Sequence, residues 1–467
     1  MPAHPIDFDI QANLYSTPEG IAIFDEKNRF QRWLHFEAAL AAAQGELGII
    51  PPEAAAMIQA KATIEHLDLN AVRQEYTTNR NSLVPIVKAL RQACGPYGDY
   101  VHHGATTQDA IDTGQALELK AFLALVRRDL TQIEDRLLEL ATQHQNLPMV
   151  GRTHSQQALP ITLGLKFSVW LLEISRHQDR LLALTPRCLT GQLGGAVGTM
   201  ASLGPKGREI ASRTMSKLGL QASTAPWHTA RDTSAETGAF CAMLTTTAAK
   251  IANEIFQLGK TEIMELREPT PAGKSAGSST MPHKRNPVLC ERIVVLSSHV
   301  RAMSQVLLEA MLHENERDPR ALWSEWLAMP QTCIYTLTSL HYLKTVLQDL
   351  EIRPQQMLAN LHRQQEAISS EWLLFTLSPI IGKARAHAKI SHYLDLASST
   401  GQSLRTILAA DPELADRLAQ VDLTLLDHPE AYIGLAPEIV ADVIREIKQR
   451  RKELENAPAL PHSKSYH

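Results

Sequence analysis

An all-α chain in three domains, built around a central bundle of long helices, is the architecture this sequence predicts, on three observations. Apolar residues recur at helical spacing over long stretches, no segment of any length alternates polar and apolar residues as a strand does, and 467 residues exceed one core's usual size. The first segment, 1–109, contains an amphipathic helix carrying Phe30, Trp33, Leu34 and Leu40, stopped near Gly48 by Pro51-Pro52. The second, 110–350, holds the long helices. Leu119, Leu123, Val126, Leu130, Ile133, Leu137 and Leu140 step by threes and fours, a seam held for about three heptads. After Pro148, a helix from about Pro160 to Leu184 is apolar nearly all round through Leu163, Leu165, Phe167, Val169, Trp170, Leu171 and Ile174. A helix without a wet face belongs inside something large. The run from Thr233 to Ile255 is rich in Ala, Thr, Ser and Gly, which permits close helix approach, and another long helix is expected from about Val288 to Leu312. The third segment, 351–467, has shorter helices and more breakers, such as Gly382, Asp411-Pro412 and Pro437, with a tail after Ala457 expected to fray. Helices that are apolar on all sides also predict burial between subunits, hence a homo-oligomer.

Composition narrows the function. A net charge of −4 with mixed signs and no long basic run gives no support for nucleic-acid or membrane-surface binding. Five cysteines stand singly, without CxxC spacing, and read as reduced, mostly buried thiols. MPAHPIDFDIQ lacks a basic and then apolar leader, and no apolar run reaches bilayer length, so a soluble cytoplasmic protein is expected. The histidines are not at HxxxH or similar spacing with carboxylates on one face, so neither metal nor cofactor is expected.

Chemistry concentrates in a few motifs. GSSTMPHKRNP, Gly277 to Pro287, puts the hydroxyls of Ser278 and Ser279, then Lys284 and Asn286, on a glycine-rich segment before a helix. Small positions ahead of the serines suit a loop that closes over a ligand. Lys284 and Asn286 entering a helix, with its free N–H groups, suit an anion. HHGATTQDAIDT, His102 to Thr113, offers Thr106 and Thr107 before a helix whose capping candidates are Asp109 or Asp112. Such a start binds carboxylate readily, or is a plain N-cap. GRTHSQQALPITLG, Gly151 to Gly164, packs Arg152, Thr153, His154 and Gln156 ahead of the buried helix. His154 is either an acid–base group or a structural histidine bonded to a carbonyl. QLGGAVGTMASLG, Gln192 to Gly204, looks like a ligand-proximal turn without phosphate-loop spacing. In WHTARD, Trp227 to Asp232, Arg231 has the fork geometry of a carboxylate clamp, and His228 is either a second acid–base group or packing.

In this order the motifs resemble those of the aspartase/fumarase superfamily over nearly the whole chain. The specific signature GSSxMPxKxNP is met by Gly277, Ser278, Ser279, Met281, Pro282, Lys284, Asn286 and Pro287. Gly104, Thr106, Thr107 and Asp109 resemble its GxTSxD segment, and Gly151 through Gly164 its GRTHxQxAxPxTxG segment. FEAALA, NSLVPIVKAL, PWHTARD and ENERDPRALWSEW are similar to the branch that lactonises 3-carboxy-cis,cis-muconate. Asn81-Ser82 stands where adenylosuccinate lyases usually carry His-Asp, whereas His154 matches the fumarate-releasing lyases, so the resemblance implies carboxymuconate lactonisation first and a fumarate-releasing C–N lyase as the alternative. The resemblance implies a three-domain homotetramer with active sites shared between subunits, acting without cofactor on a di- or tricarboxylate. It implies that Ser278 abstracts a proton beside a carboxylate and that Lys284 and Asn286 stabilise the resulting anion. His154 would protonate the leaving group, and Thr106, Thr107, Arg152, Thr153, Gln156, Arg231, Ser279 and Met281 would hold substrate.

Overall fold

The computed structural model describes residues 3–270, 280, 281, 283–363, 365–414, 418 and 421–456. Helices α1 (Pro18–Phe24), α2 (Glu26–Glu46), α3 (Pro52–Lys61), α4 (Leu69–Thr78) and α5 (Val84–Ala93) lead into α6 (Thr107–Gln143). Strands β1 (Pro148–Thr153) and β2 (Gln156–Thr162) precede α7 (Leu163–Cys188), β3 (Thr190–Gly191), α8 (Gly207–Leu218), β4 (Gln221–Ala222) and α9 (Asp232–Leu258). Then come β5 (Leu266–Arg267), α10 (Val288–Glu309), α11 (Pro319–Gln348), β6 (Glu351–Ile352) and α12 (Pro354–His362). The chain continues through α13 (Gln365–Ile368), α14 (Ser370–Ile381), α15 (Lys383–Thr400), α16 (Leu404–Ala410) and α17 (Ala436–Asn456).

The bundle is α6, α7, α9, α10 and α11, packed side by side over one apolar core. Every residue of the Leu119–Leu140 seam is at most 5% exposed, so the stripe read from spacing is the face α6 turns inward. Gly164 lets the start of α7 meet the end of α6, because a Cβ there would fall within 2.9 Å of backbone atoms of Gln145, His144 and Ala141. A second core joins α2, α3, α5 and α8 to the first turns of α6 and contains Trp33, Leu34 and Leu40. A third, smaller one lies in α14–α16. The last helix leaves that small unit: Val440, Val443 and Ile447 of α17 sit in the bundle core, and Arg451 bonds the buried Glu134 of α6 at 2.8 Å. The 351–467 segment is therefore divided between two cores. All five cysteines are buried and free, and no described helix is long and apolar enough to cross a membrane.

Three local expectations need correction. The helix placed from Pro160 begins at Leu163, because residues 148–162 form an antiparallel hairpin and the Thr162 side chain accepts the Leu165 N–H as N-cap. A bulge falls at Gly151, between the paired Val150 and Arg152. The hairpin closes on His154 and Ser155, both at positive φ (50° and 61°), as a two-residue turn between right-twisted strands requires. Helix α6 is capped at Thr106, whose N–H is accepted by Asp109 at 3.0 Å, while Asp112 lies inside the helix. Helix α10 starts only at Val288, so Lys284 and Asn286 precede it, and its free N–H groups at Leu289 and Cys290 are taken by Glu268 at 3.0 and 2.8 Å. That carboxylate, and no ligand, satisfies the helix end. The expected fraying tail after Ala457 lies outside the described residues, which end at 456.

Candidate active site

A cavity of about 350 Å³ opens at the N-terminus of α6 and is walled by α11 and by Arg80, Asn81 and Ser82. Thr106 and Thr107 stand at its helix end, where a 37-residue helix offers its positive pole to an anion. Asp109 fixes this end from beneath. Fully buried, it accepts the N–H groups of Thr106, Gly194 and Gly195 at 2.9–3.0 Å and faces His228 Nε2 at 3.0 Å. Gln192–Gly204 is bound to the threonine loop through this carboxylate, and none of its residues lines the cavity. Its Gly195 (φ 72°) and Gly198 (φ 87°) take up left-handed backbone, and a Cβ on Gly198 would fall 2.4 Å from Pro226.

Arg231 lines the same cavity, but its fork is already engaged. It bonds Glu325 twice, at 2.8 and 2.6 Å, and Asp112 at 3.0 Å, with all three side chains at most 2% exposed. Its guanidinium also lies 4.9 Å over the Trp227 ring. Burial works to raise the Glu325 carboxyl, and Arg231 more than offsets this and holds it below the usual range; at Asp112 burial prevails and pushes the carboxyl up. Arg231, expected to hold substrate, is tied to Glu325 through Nε and Nη2, while its buried Nη1, paired with Asp112 by charge at 3.0 Å, has no hydrogen-bond partner. Arg152 differs from expectation in the same way. Its two terminal nitrogens bond Glu265, fully buried, at 2.8 and 2.6 Å, and Asn360 joins that carboxylate at 2.9 Å, anchoring the hairpin to α12.

The residue sequence reasoning missed is Arg317. Its Nη2 donates to the Ala196 carbonyl at 2.9 Å and faces His228 Nδ1 at 3.4 Å, while its buried Nε has no partner and the residue lines the cavity. The only signal was its place in ENERDPRALWSEW, which carried likeness without a stated role.

The remaining site residues lie elsewhere on this chain. Thr153, His154 and Gln156 are exposed at the hairpin tip, with no side-chain hydrogen bond among the described residues. Lys284 and Met281 are exposed before α10, and Asn286 is half-buried there. None of these six lines the cavity. Ser278 and Ser279 lie outside the described residues. On this chain Thr106, Thr107 and Arg317 therefore share the cavity, while the His154 hairpin and the Lys284–Asn286 turn contribute nothing to its lining.

The loop entering the cavity carries its own pH sensitivity. His102, at φ 63°, bonds the buried Glu37 at 2.6 Å. Burial alone would lower the imidazole, but the Glu37 charge and hydrogen bond raise it above its ordinary value. A raised folded-state value means the pair's stabilisation is fully present below about pH 6.5 and is lost as pH rises through the raised value. Urea midpoints of the wild type and His102→Asn, measured from mildly acidic to alkaline pH, should therefore lie furthest apart at the acidic end. A gap that grows toward alkaline pH would contradict this.

A bundle of long helices, a helix end set for an anion, and a GSSxMPxKxNP loop define an enzyme of the aspartase/fumarase superfamily. A family profile described as Lyase matches residues 15–302, and the chain belongs to that family. It is 37% identical to N-acetyl-S-(2-succino)cysteine lyase of Dickeya dadantii (strain 3937), over 95% of this chain and 98% of that one. It is 39% identical to adenylosuccinate lyase of Methanothermobacter thermautotrophicus, over 96% and 99% of the two chains. Among solved structures, 3-carboxy-cis,cis-muconate lactonizing enzyme from Pseudomonas putida is similar with a TM-score of 0.87 and 34% identity, covering 93% of this chain and 98% of that one.

Proposed function

We propose that this enzyme releases fumarate from a 2-substituted succinate, breaking a C–S or C–N bond beside a carboxylate, with active sites shared between copies in a homotetramer. The observation that carries the reading is His154, exposed and unpaired at the tip of an anchored hairpin. A leaving thiol or amine gains from a proton donor, whereas the carboxylate that departs when a muconolactone ring opens is stable without one. The two lyases similar to this chain act, by their names, on succinylated substrates.

In the proposed reaction Ser278 removes a proton from C3 of the succinyl group. The electron pair enters the adjacent carboxylate as an aci-anion, held by Lys284 and Asn286, and returns to form the C2–C3 double bond. The C2–S or C2–N bond then breaks, and its heteroatom takes a proton from His154. Thr106, Thr107 and Arg317 hold the second carboxylate, and Thr153, Gln156, Ser279 and Met281 complete the enclosure. A cavity that the hairpin and the Lys284–Asn286 turn of the same chain do not line fits a site assembled from several copies, and exposed Val169, Met243, Val295 and Leu308 on α7, α9 and α10 supply apolar surface for that assembly.

Purified protein incubated with N-acetyl-S-(2-succinyl)cysteine and with adenylosuccinate should form fumarate from at least one. His154→Ala should lower kcat by roughly 10²–10⁴-fold with the poorer leaving group, the amine, and less with the thiol. Equal loss on both would remove His154 from the acid role. A second reading, lactonisation of 3-carboxy-cis,cis-muconate, is favoured by the PWHTARD and LWSEW segments and the 0.87 TM-score. Loss of the diene's ultraviolet absorbance, with no fumarate from either succinate, would establish it instead.

A further inference from the structure

We propose that His228 is a positioning residue: it fixes the direction of the Arg317 guanidinium, and through it the affinity of the cavity for a substrate carboxylate. The inference rests on the cavity being the carboxylate site, and it concerns a histidine that the elimination step leaves without a role.

The side chain is 3% exposed and stands between two groups of opposite demand. Its Nε2 lies 3.0 Å from Asp109 Oδ1, an acceptor, so that nitrogen carries the proton. Its Nδ1 lies 3.4 Å from Arg317 Nη2. A guanidinium has donors and no acceptor, so Nδ1 must present its lone pair. Only the neutral imidazole with hydrogen on Nε2 satisfies both neighbours. The ring is enclosed, at 3% exposed, and the Asp109 carboxylate it faces is itself held by three backbone N–H groups.

Arg317 is held on one edge only. Nη2 is shared between the Ala196 carbonyl at 2.9 Å and His228, and buried Nε is left with no partner in a residue that lines the cavity. A side chain anchored on one edge with donors to spare is prepared for a carboxylate. Without the imidazole one anchor is gone and the fork can rotate. That weakens binding of the ground state and the transition state alike, so KM rises while kcat changes little.

Isothermal titration with succinate, together with kcat and KM on whichever substrate is turned over, tests this. His228→Leu should raise the succinate Kd and KM by roughly 10- to 100-fold. His228→Asn places an acceptor near the position of Nδ1 and should recover most of that loss. His228→Gln places a donor near the position of Nε2, supports Asp109 only, and should not. Should the leucine variant fail to fold, the Asn–Gln contrast carries the test alone. Equal recovery by Gln, or a folded leucine variant that binds succinate as the wild type does, would overturn the proposal. Wild-type protein that turns over a succinate yet binds it unchanged as Arg317→Ala would instead overturn the carboxylate reading of the cavity, and this inference with it.

Discussion

Ser278→Ala lowers kcat by roughly 10²–10⁴-fold, the range a lost general base costs, and leaves substrate binding little changed. A serine hydroxyl is a poor base at neutral pH and acts only where its setting stabilises the alkoxide. Lys284 and Asn286 follow Ser278 by six and eight positions, and in the proposed reaction they supply the charge and amide donor beside the hydroxyl. The field that lowers the cost of the alkoxide also stabilises the aci-anion formed next, so removing the hydroxyl removes the proton transfer and leaves the anion hole standing. Two measurements separate this from a binding defect. Succinate affinity should persist in the variant, and exchange of the C3 proton with deuterated water should stop. Exchange continuing at the wild-type rate would assign the base to another residue.

Arg231→Met destabilises the fold by about 3–5 kcal/mol, the cost of breaking a buried ion pair by deleting one partner. The methionine fills similar volume, so packing is not the main term. What remains is Glu325 and Asp112, both about 1% exposed, with their common counter-charge gone. Glu325 keeps bonds from Ser234 at 2.9 Å and from Gln115, which satisfy lone pairs without neutralising charge. The deficit should shrink as pH falls, because a buried carboxylate without its cation has a raised folded-state value, so its cost grows as pH rises from the ordinary value through the raised one and is least below the ordinary value. Urea unfolding of the wild type and variant at neutral and mildly acidic pH checks both size and sign. A deficit under about 1 kcal/mol, unchanged with pH, would mean that this triad is not structural.

How much was legible in the chain follows from the range of each interaction. Helix α6 was readable because its seam is set by neighbours three and four positions apart, and burial of every seam residue follows from that spacing. The hairpin was not, because its strands run only six and seven residues and Pro160 reads as a helix start until Thr162 is seen to cap α7. Arg231 and Arg152 were rightly singled out as forks that seek carboxylates. Their partners lie 94 and 113 residues away, so nothing local showed that those carboxylates belong to the protein itself. Arg317 drew no separate reading because its contacts, to Ala196 and His228, lie 121 and 89 residues away.

The long helices and the family of enzyme were legible in the sequence alone, since periodicity and short motifs act within a few residues of themselves. Which arginine is paired with buried carboxylates, and which histidine is exposed and which is wedged between an acid and a cation, was decided by tertiary structure. The physical reason is that a charge's function depends on whether its counter-charge has already been buried beside it, and only the folded chain brings the two together.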